Sequence, residues 1–101
     1  MNDTEILKLA IDTYGDKSQI DKSIEEMTEL TKALLKHRYI QKPHQRDILE
    51  DAVAEEMADV MIMLEQLRMI YRNDDRIAHY RREKMDRLAR LLAKGERDGY
   101  V

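Results

Sequence analysis

Two seven-residue stretches carry the side chains best suited to chemistry. Ile24 to Leu30 reads IEEMTEL and Ala54 to Val60 reads AEEMADV, with acids at the same three places each time. At about 100° of rotation per residue, each stretch can be laid on a helix surface. Glu26 then falls inside the edge of an apolar stripe of Ile20, Ile24, Met27, Leu30 and Leu34, with Ala33 on its other side and Glu29 at the margin. Glu56 falls between Ala52 on one side and Val53, Val60 and Leu67 on the other, and Asp59 shares a line with Met63 and Ile70. Glu25 and Glu55 lie further round, towards solvent. A carboxylate facing a core is costly unless it is protonated, paired or bound to metal. Glu26, Glu29, Glu56 and Asp59 point from two helices towards one space, and no Lys or Arg is expected on the inward line of either helix near them. The expected compensation is a hard divalent cation. An all-oxygen donor set suits Mg²⁺, Mn²⁺ or Ca²⁺, with Mg²⁺ favoured. The i, i+3 spacing lets each helix grip with two side chains.

A glutamate-rich helical stretch is ordinarily a solvated face, and Glu29 has Lys32 within reach for an i, i+3 pair. That plain reading suits Glu25 and Glu55. It suits Glu26 and Glu56 less well, because both interrupt apolar stripes and the pattern occurs twice. A di-iron carboxylate centre requires Glu-x-x-His on two helices, and Glu29 and Asp59 stand where the histidines belong. His37 lies on the Glu26 side of its helix but about three turns away, so it reads as a rim residue. His44 reads as a loop residue and His79 as a surface one.

Holding these acids in place requires two long helices. Ser18 is the expected cap of one from about Gln19 to about Ile40. Asp47 with Glu50 forms a capping-box-like start for another that runs to about Tyr71. A shorter helix precedes them, from a cap near Asp3 or Thr4 to just before Gly15. QKPHQR, around Pro43, reads as a loop, RNDD from Arg72 as a break, and a fourth helix is expected from about Asp75 to about Lys94. ERDGYV reads as a frayed or partner-bound tail. No segment alternates as a strand would. The expectation is a single all-α domain, a four-helix bundle whose two long helices carry the acidic motifs.

Composition agrees. A chain of 101 residues makes one domain. Hydrophobic residues are 43%, supplied mainly by aliphatics and seven Met, with five Tyr as the sole aromatics, a mix that favours helices. A domain this small gains from oligomerisation. The absence of cysteine rules out disulfides, thiolate metal sites and a Cys nucleophile, and fits a reducing cytoplasm. No apolar run approaches the roughly 20 residues of a membrane span, and MNDTEILKLA lacks the apolar region of a signal peptide. A net charge of −3 argues against general binding to nucleic-acid polymers.

The paired motifs, E-E-x-x-E at Glu25-Glu26-Met27-Thr28-Glu29 and E-x-x-D at Glu56-Met57-Ala58-Asp59, resemble those of the MazG-type nucleotide pyrophosphohydrolases. YGDKSQIDKSIEEMTELTKAL, EEMADVMIMLEQL and the later KMDRL are similar to short, single-domain members of phages and Gram-positive bacteria, over about residues 14 to 92. The resemblance implies an all-α protein assembled as dimers or dimers of dimers. It implies Mg²⁺-dependent cleavage of a nucleoside triphosphate between the α- and β-phosphates, to monophosphate and pyrophosphate. It makes Glu26, Glu29, Glu56 and Asp59 the metal ligands. Glu25 completes the motif, and which carboxylate accepts a proton stays open.

A polyanionic triphosphate cannot approach four carboxylates without a bridging cation, and it also needs positive charge for its outer phosphates. Lys32 and Lys36 follow the first motif; Lys84 and Arg87 lie in KMDRL. The plain reading of each is a solvated basic face or a salt bridge. Tyr14, Gln19 and Met63 are candidates for the base and sugar, and each also suits a packing role. The alternative to an enzyme is a helical interaction module without catalysis, its acids paired with basic residues of a partner subunit such as those of the fourth helix.

Overall fold

In this computed structural model residues 1–95 are described; the tail expected over 96–101 lies outside the described residues. Helix α1 (Asp3–Tyr14) is capped by Asn2. The Asn2 side chain accepts from the Glu5 N–H at 2.8 Å, and the Glu5 carboxylate accepts from the Asn2 N–H at 3.3 Å. Expected at Asp3 or Thr4, the cap falls on Asn2 because only from there does an acid three residues on close the reciprocal box. The helix ends at Gly15, at φ 90°, ψ 155°, a region essentially open to glycine alone.

Helix α2 (Asp16–Arg38) begins straight after Gly15, so Ser18, the expected cap, lies inside the first turn. After the 3₁₀ turn Pro43–Gln45 comes α3 (Arg46–Tyr71). The capping box expected at Asp47 does not form: no side chain caps this helix. The chain enters α3 directly from the 3₁₀ turn, and Glu50 faces His37 instead, Oε1 to Nε2 at 3.3 Å. Helix α3 ends at Arg72, in the left-handed region at φ 49°, whose N–H donates to the Arg68 carbonyl. Helix α4 (Asp74–Ala93) follows after Asn73. Among the described residues there is no strand.

The main packing is α2 against α3, and α1 lies against both. The His37–Glu50 contact, near the end of one long helix and the start of the other, fixes them as antiparallel. Four helices and an all-α fold are as expected. A four-helix bundle within one chain is not: α4 packs along none of the other three and buries no residue. The short Arg72–Asn73 link and the Arg68–Asp74 ion pair, 2.8 Å, set its exit. The Cα radius of gyration is 17.3 Å, against about 13 Å for a compact chain of this length.

The packed face of α2 also differs from the expected one. Gln19, Ser23 and Ala33 are buried, Ser23 at 1% exposure, whereas Ile24, Met27 and Leu34 of the expected stripe are exposed. The small side chains of Ser23 and Ala33 let α3 come close, and the larger side chains stay outside. The Ser23 hydroxyl is satisfied within its own helix, donating to the Gln19 carbonyl at 2.8 Å. Opposite, α3 buries Met63 and Gln66. No helix among the described residues is long and apolar enough to cross a membrane.

Candidate metal centre

Midway along the α2–α3 seam, Glu26, Glu56 and Asp59 come together. One carboxylate oxygen from each lies within 4.8 Å of the others, and all three residues are half-buried. Antiparallel pairing sets Glu26 of the first motif against the E-x-x-D of the second, and the i, i+3 spacing puts Glu56 and Asp59 on the same side of α3. Glu56 Oε2 is buried and meets no hydrogen-bond donor. Burial pushes the Glu56 carboxyl up from the ordinary glutamate value, with the negative charges of Asp59, Glu26, Glu29 and Glu55 acting in the same direction.

Contrary to expectation, a cation does stand near these acids. Lys22 Nζ lies 3.0 Å from Glu26 Oε1 and 3.9 Å from Glu25. The hydrogen bond to Glu26 holds the Lys22 ammonium above its usual range, helped by the charges of Glu25, Glu26 and Asp59. One lysine against three carboxylates leaves the cluster negative. The signal was available: Lys22 precedes Glu26 by four residues, one helical turn.

The other expected site residues divide by position. Glu29 lies outside the trio, its carboxylate 3.4 Å from Lys32, and Glu25 is exposed. Lys36 lines a separate groove with Tyr39, Lys42 and Leu49, at the far end of α2. Lys84 and Arg87 belong to α4, which does not pack on the acid-bearing helices. Tyr14 is exposed at the end of α1. Gln19 and Met63 are buried, Met63 at 6% exposure, so they contribute to the seam itself. His44 and His79 are exposed, as expected, and His79 faces Glu83 of its own helix.

Gln66 was missed. It is 3% exposed and its Oε1 meets no donor. It sits one turn beyond Met63 on the Asp59 line, and the antiparallel register sets it level with Gln19.

Comparison with protein-family models, with curated proteins and with solved structures finds no match. The chemistry of the site therefore rests on its own residues. They fit a hard cation: the donors are carboxylate oxygens from two helices, they outnumber the nearby lysine, and one buried oxygen meets no donor. Such a donor set suits Mg²⁺ or Mn²⁺ and offers nothing to a soft metal.

Proposed function

We propose that the protein is a Mg²⁺-dependent nucleoside triphosphate pyrophosphohydrolase of the MazG type, releasing pyrophosphate and the monophosphate. The observation that carries this reading is the convergence of Glu26, Glu56 and Asp59 around the donor-less Glu56 Oε2. Glu26, Glu56 and Asp59 would hold the ion. Bound there, Mg²⁺ (or Mn²⁺ as a substitute) would supply the positive charge that an anionic site needs towards phosphoryl oxygens and would acidify a water. Glu29, one turn from Glu26 and outside the trio, is the carboxylate left to accept a proton at its Oε atoms. Glu25 orients the approach from the exposed side. Lys22 and Lys32, both on α2 beside these acids, bind the outer phosphates once substrate arrives. Of the expected base contacts, Tyr14 is the exposed one. Deoxynucleotides are the favoured substrates, as in nucleotide-pool cleaning in the cytoplasm by a homodimer or homotetramer.

The test is pyrophosphate release from a panel of nucleoside triphosphates, with Mg²⁺ and with EDTA. Metal-dependent release with a matching amount of monophosphate supports the reading, and the panel ranks the bases. No release from folded protein in either Mg²⁺ or Mn²⁺ overturns it. The second reading, a non-catalytic interaction module, is favoured by the Lys22–Glu26 pair, in which an acid of the cluster already has a basic partner. On that reading Mg²⁺ leaves the melting temperature unchanged.

A further inference from the structure

From Leu30 to Arg46 the chain holds no acid, yet it holds Lys32, Lys36, Arg38, Lys42 and Arg46, with His37 and His44 among them. All 21 acids lie outside this stretch, so the net charge of −3 hides a positive pole at the turn between α2 and α3. Lys32 is engaged with Glu29. Lys36, Arg38, Lys42 and Arg46 are exposed, and among the described residues none of them is ion-paired to an acid. Helix stability accounts for only part of this. Lys36 and Arg38 stand in the last turn of α2, where the helix dipole favours a cation. Lys42 lies past that helix, and Arg46 opens α3, where the dipole disfavours one.

Lys36, Tyr39, Gln41, Lys42, Gln45 and Leu49 line an open groove at this turn. Tyr39 is 69% exposed, and the Arg38 guanidinium stands 5.8 Å from its ring centroid, within cation–π reach. The acids that open α3 do not cancel the charge. Asp47 and Asp51 each fall about 160° round the helix from Leu49, the residue that α3 turns to the groove, and Glu50 faces His37. The acid trio is remote as well. Lys36 follows Glu26 by about 15 Å along α2, beyond the roughly 8 Å over which exposed charges act at physiological ionic strength.

We infer that the α2–α3 turn binds single-stranded nucleic acid, with phosphates on Lys36, Arg38, Lys42 and Arg46 and a base stacked on Tyr39. The cations are spaced from the end of α2, through the connection, to the start of α3, which suits successive phosphates of a strand better than one isolated phosphate. An exposed ring flanked by positive charge is the stacking platform that an unpaired base fits and a duplex, with its bases already stacked, does not. The amides of Gln41 and Gln45 in the groove can donate to and accept from a base edge. A lipid surface is matched less well, because the aliphatic side chains of the groove, Ile40 and Leu49, are half-buried and offer little to acyl chains. This site is independent of the metal centre and of the reaction proposed for it.

The test is fluorescence anisotropy of a labelled single-stranded oligothymidylate of about 12 nucleotides, titrated with the full chain in EDTA so that turnover plays no part. Saturable binding is expected at low salt, weakening as salt rises with a log–log slope of about −3, as four neutralised phosphates require. The double variant Lys36→Gln/Lys42→Gln is expected to bind roughly tenfold or more weakly and to lose about 1.4 of that slope. Tyr39→Ala is expected to weaken binding by about fivefold to a hundredfold with the slope unchanged, and Tyr39→Phe to bind as the wild type does. All these side chains are exposed, so circular dichroism of each variant is expected to stay helical. Absence of binding at low salt overturns the inference. So does unchanged affinity in the double variant or in Tyr39→Ala, tighter binding of a duplex of the same length, or displacement by thymidine monophosphate as effective as by the oligomer at equal nucleotide concentration. Lys36- and Lys42-dependent binding to phosphatidylserine vesicles by a chain that leaves the oligomer free would overturn it too.

Discussion

Glu56 presents a buried oxygen without a donor, and its carboxyl is pushed up by burial and by the charges of Asp59, Glu26, Glu29 and Glu55. In the metal-free protein the ionised form is therefore disfavoured by folding. The sign is that of a raised acid: its contribution is fully favourable below the unfolded value of 4.5 and is lost as pH rises through the higher folded value. Glu56→Gln removes this loss. In EDTA, the melting temperature of Glu56→Gln minus that of the wild type is expected to grow as pH rises from 4 towards neutrality, which thermal melts at stepped pH would check. Glu56→Gln is also expected to abolish Mg²⁺-dependent pyrophosphate release. Wild-type turnover in this variant would remove the residue from the site. Lys22 competes for Glu26 with any cation bound there, so Lys22→Met is expected to tighten Mg²⁺ binding severalfold in calorimetry while lowering the melting temperature of the metal-free form. At this scale the clustering of acids was legible in the sequence and their neighbours were not. Of the four acids expected to converge, Glu26, Glu56 and Asp59 do, because antiparallel pairing sets them at one level of the seam, while Glu29 lies outside the trio beside Lys32. Lys22 and Gln66 escaped because attention to acids and to apolar stripes passes over a lysine one turn back and an amide within the seam.

The helices themselves followed from the sparse glycine and proline, and their ends shifted where local hydrogen bonding had the choice. Asn2 and Glu5 satisfy two orphan N–H groups at once. Asn2→Ala is expected to cost about 1 kcal/mol in the local stability of α1, read as faster amide exchange confined to its first turn. At Gly15 an added Cβ meets nothing within 4 Å, so crowding is absent and only the backbone objects. Gly15→Ala is expected to cost about 1–3 kcal/mol in chemical denaturation, because the substitution forces alanine into a glycine-only region. The face that α2 presents was not legible from its apolar stripe. Helix packing selected the line with the smaller side chains, Ser23 and Ala33, and left Ile24 and Leu34 uncovered; a wheel weighs hydrophobicity and has no measure of how closely two backbones can approach.

For the whole molecule, the expected bundle is incomplete within a single chain. Ala33 and Met63 are the only buried hydrophobic residues among those described, while Met57, Met61, Tyr80 and Leu92 are among many large ones left exposed. So thin a core gives small stability to an isolated copy, and the melting temperature is expected to rise with protein concentration. A melting temperature constant over a hundredfold range in concentration would oppose this. The number and type of helices could be read from the sequence. The position of α4 could not, because a helical pattern reports which face seeks cover and not whose surface provides it. The same layout has a consequence for how the protein acquires its structure. Both acid motifs sit on helices joined by a short connection, so their pairing is local along the chain and forms early, in the fast regime of helical hairpins. Association of copies, as in the proposed homodimer or homotetramer, is a bimolecular event. Refolding should thus show a first phase whose rate is indifferent to dilution, and a second that slows in proportion to it.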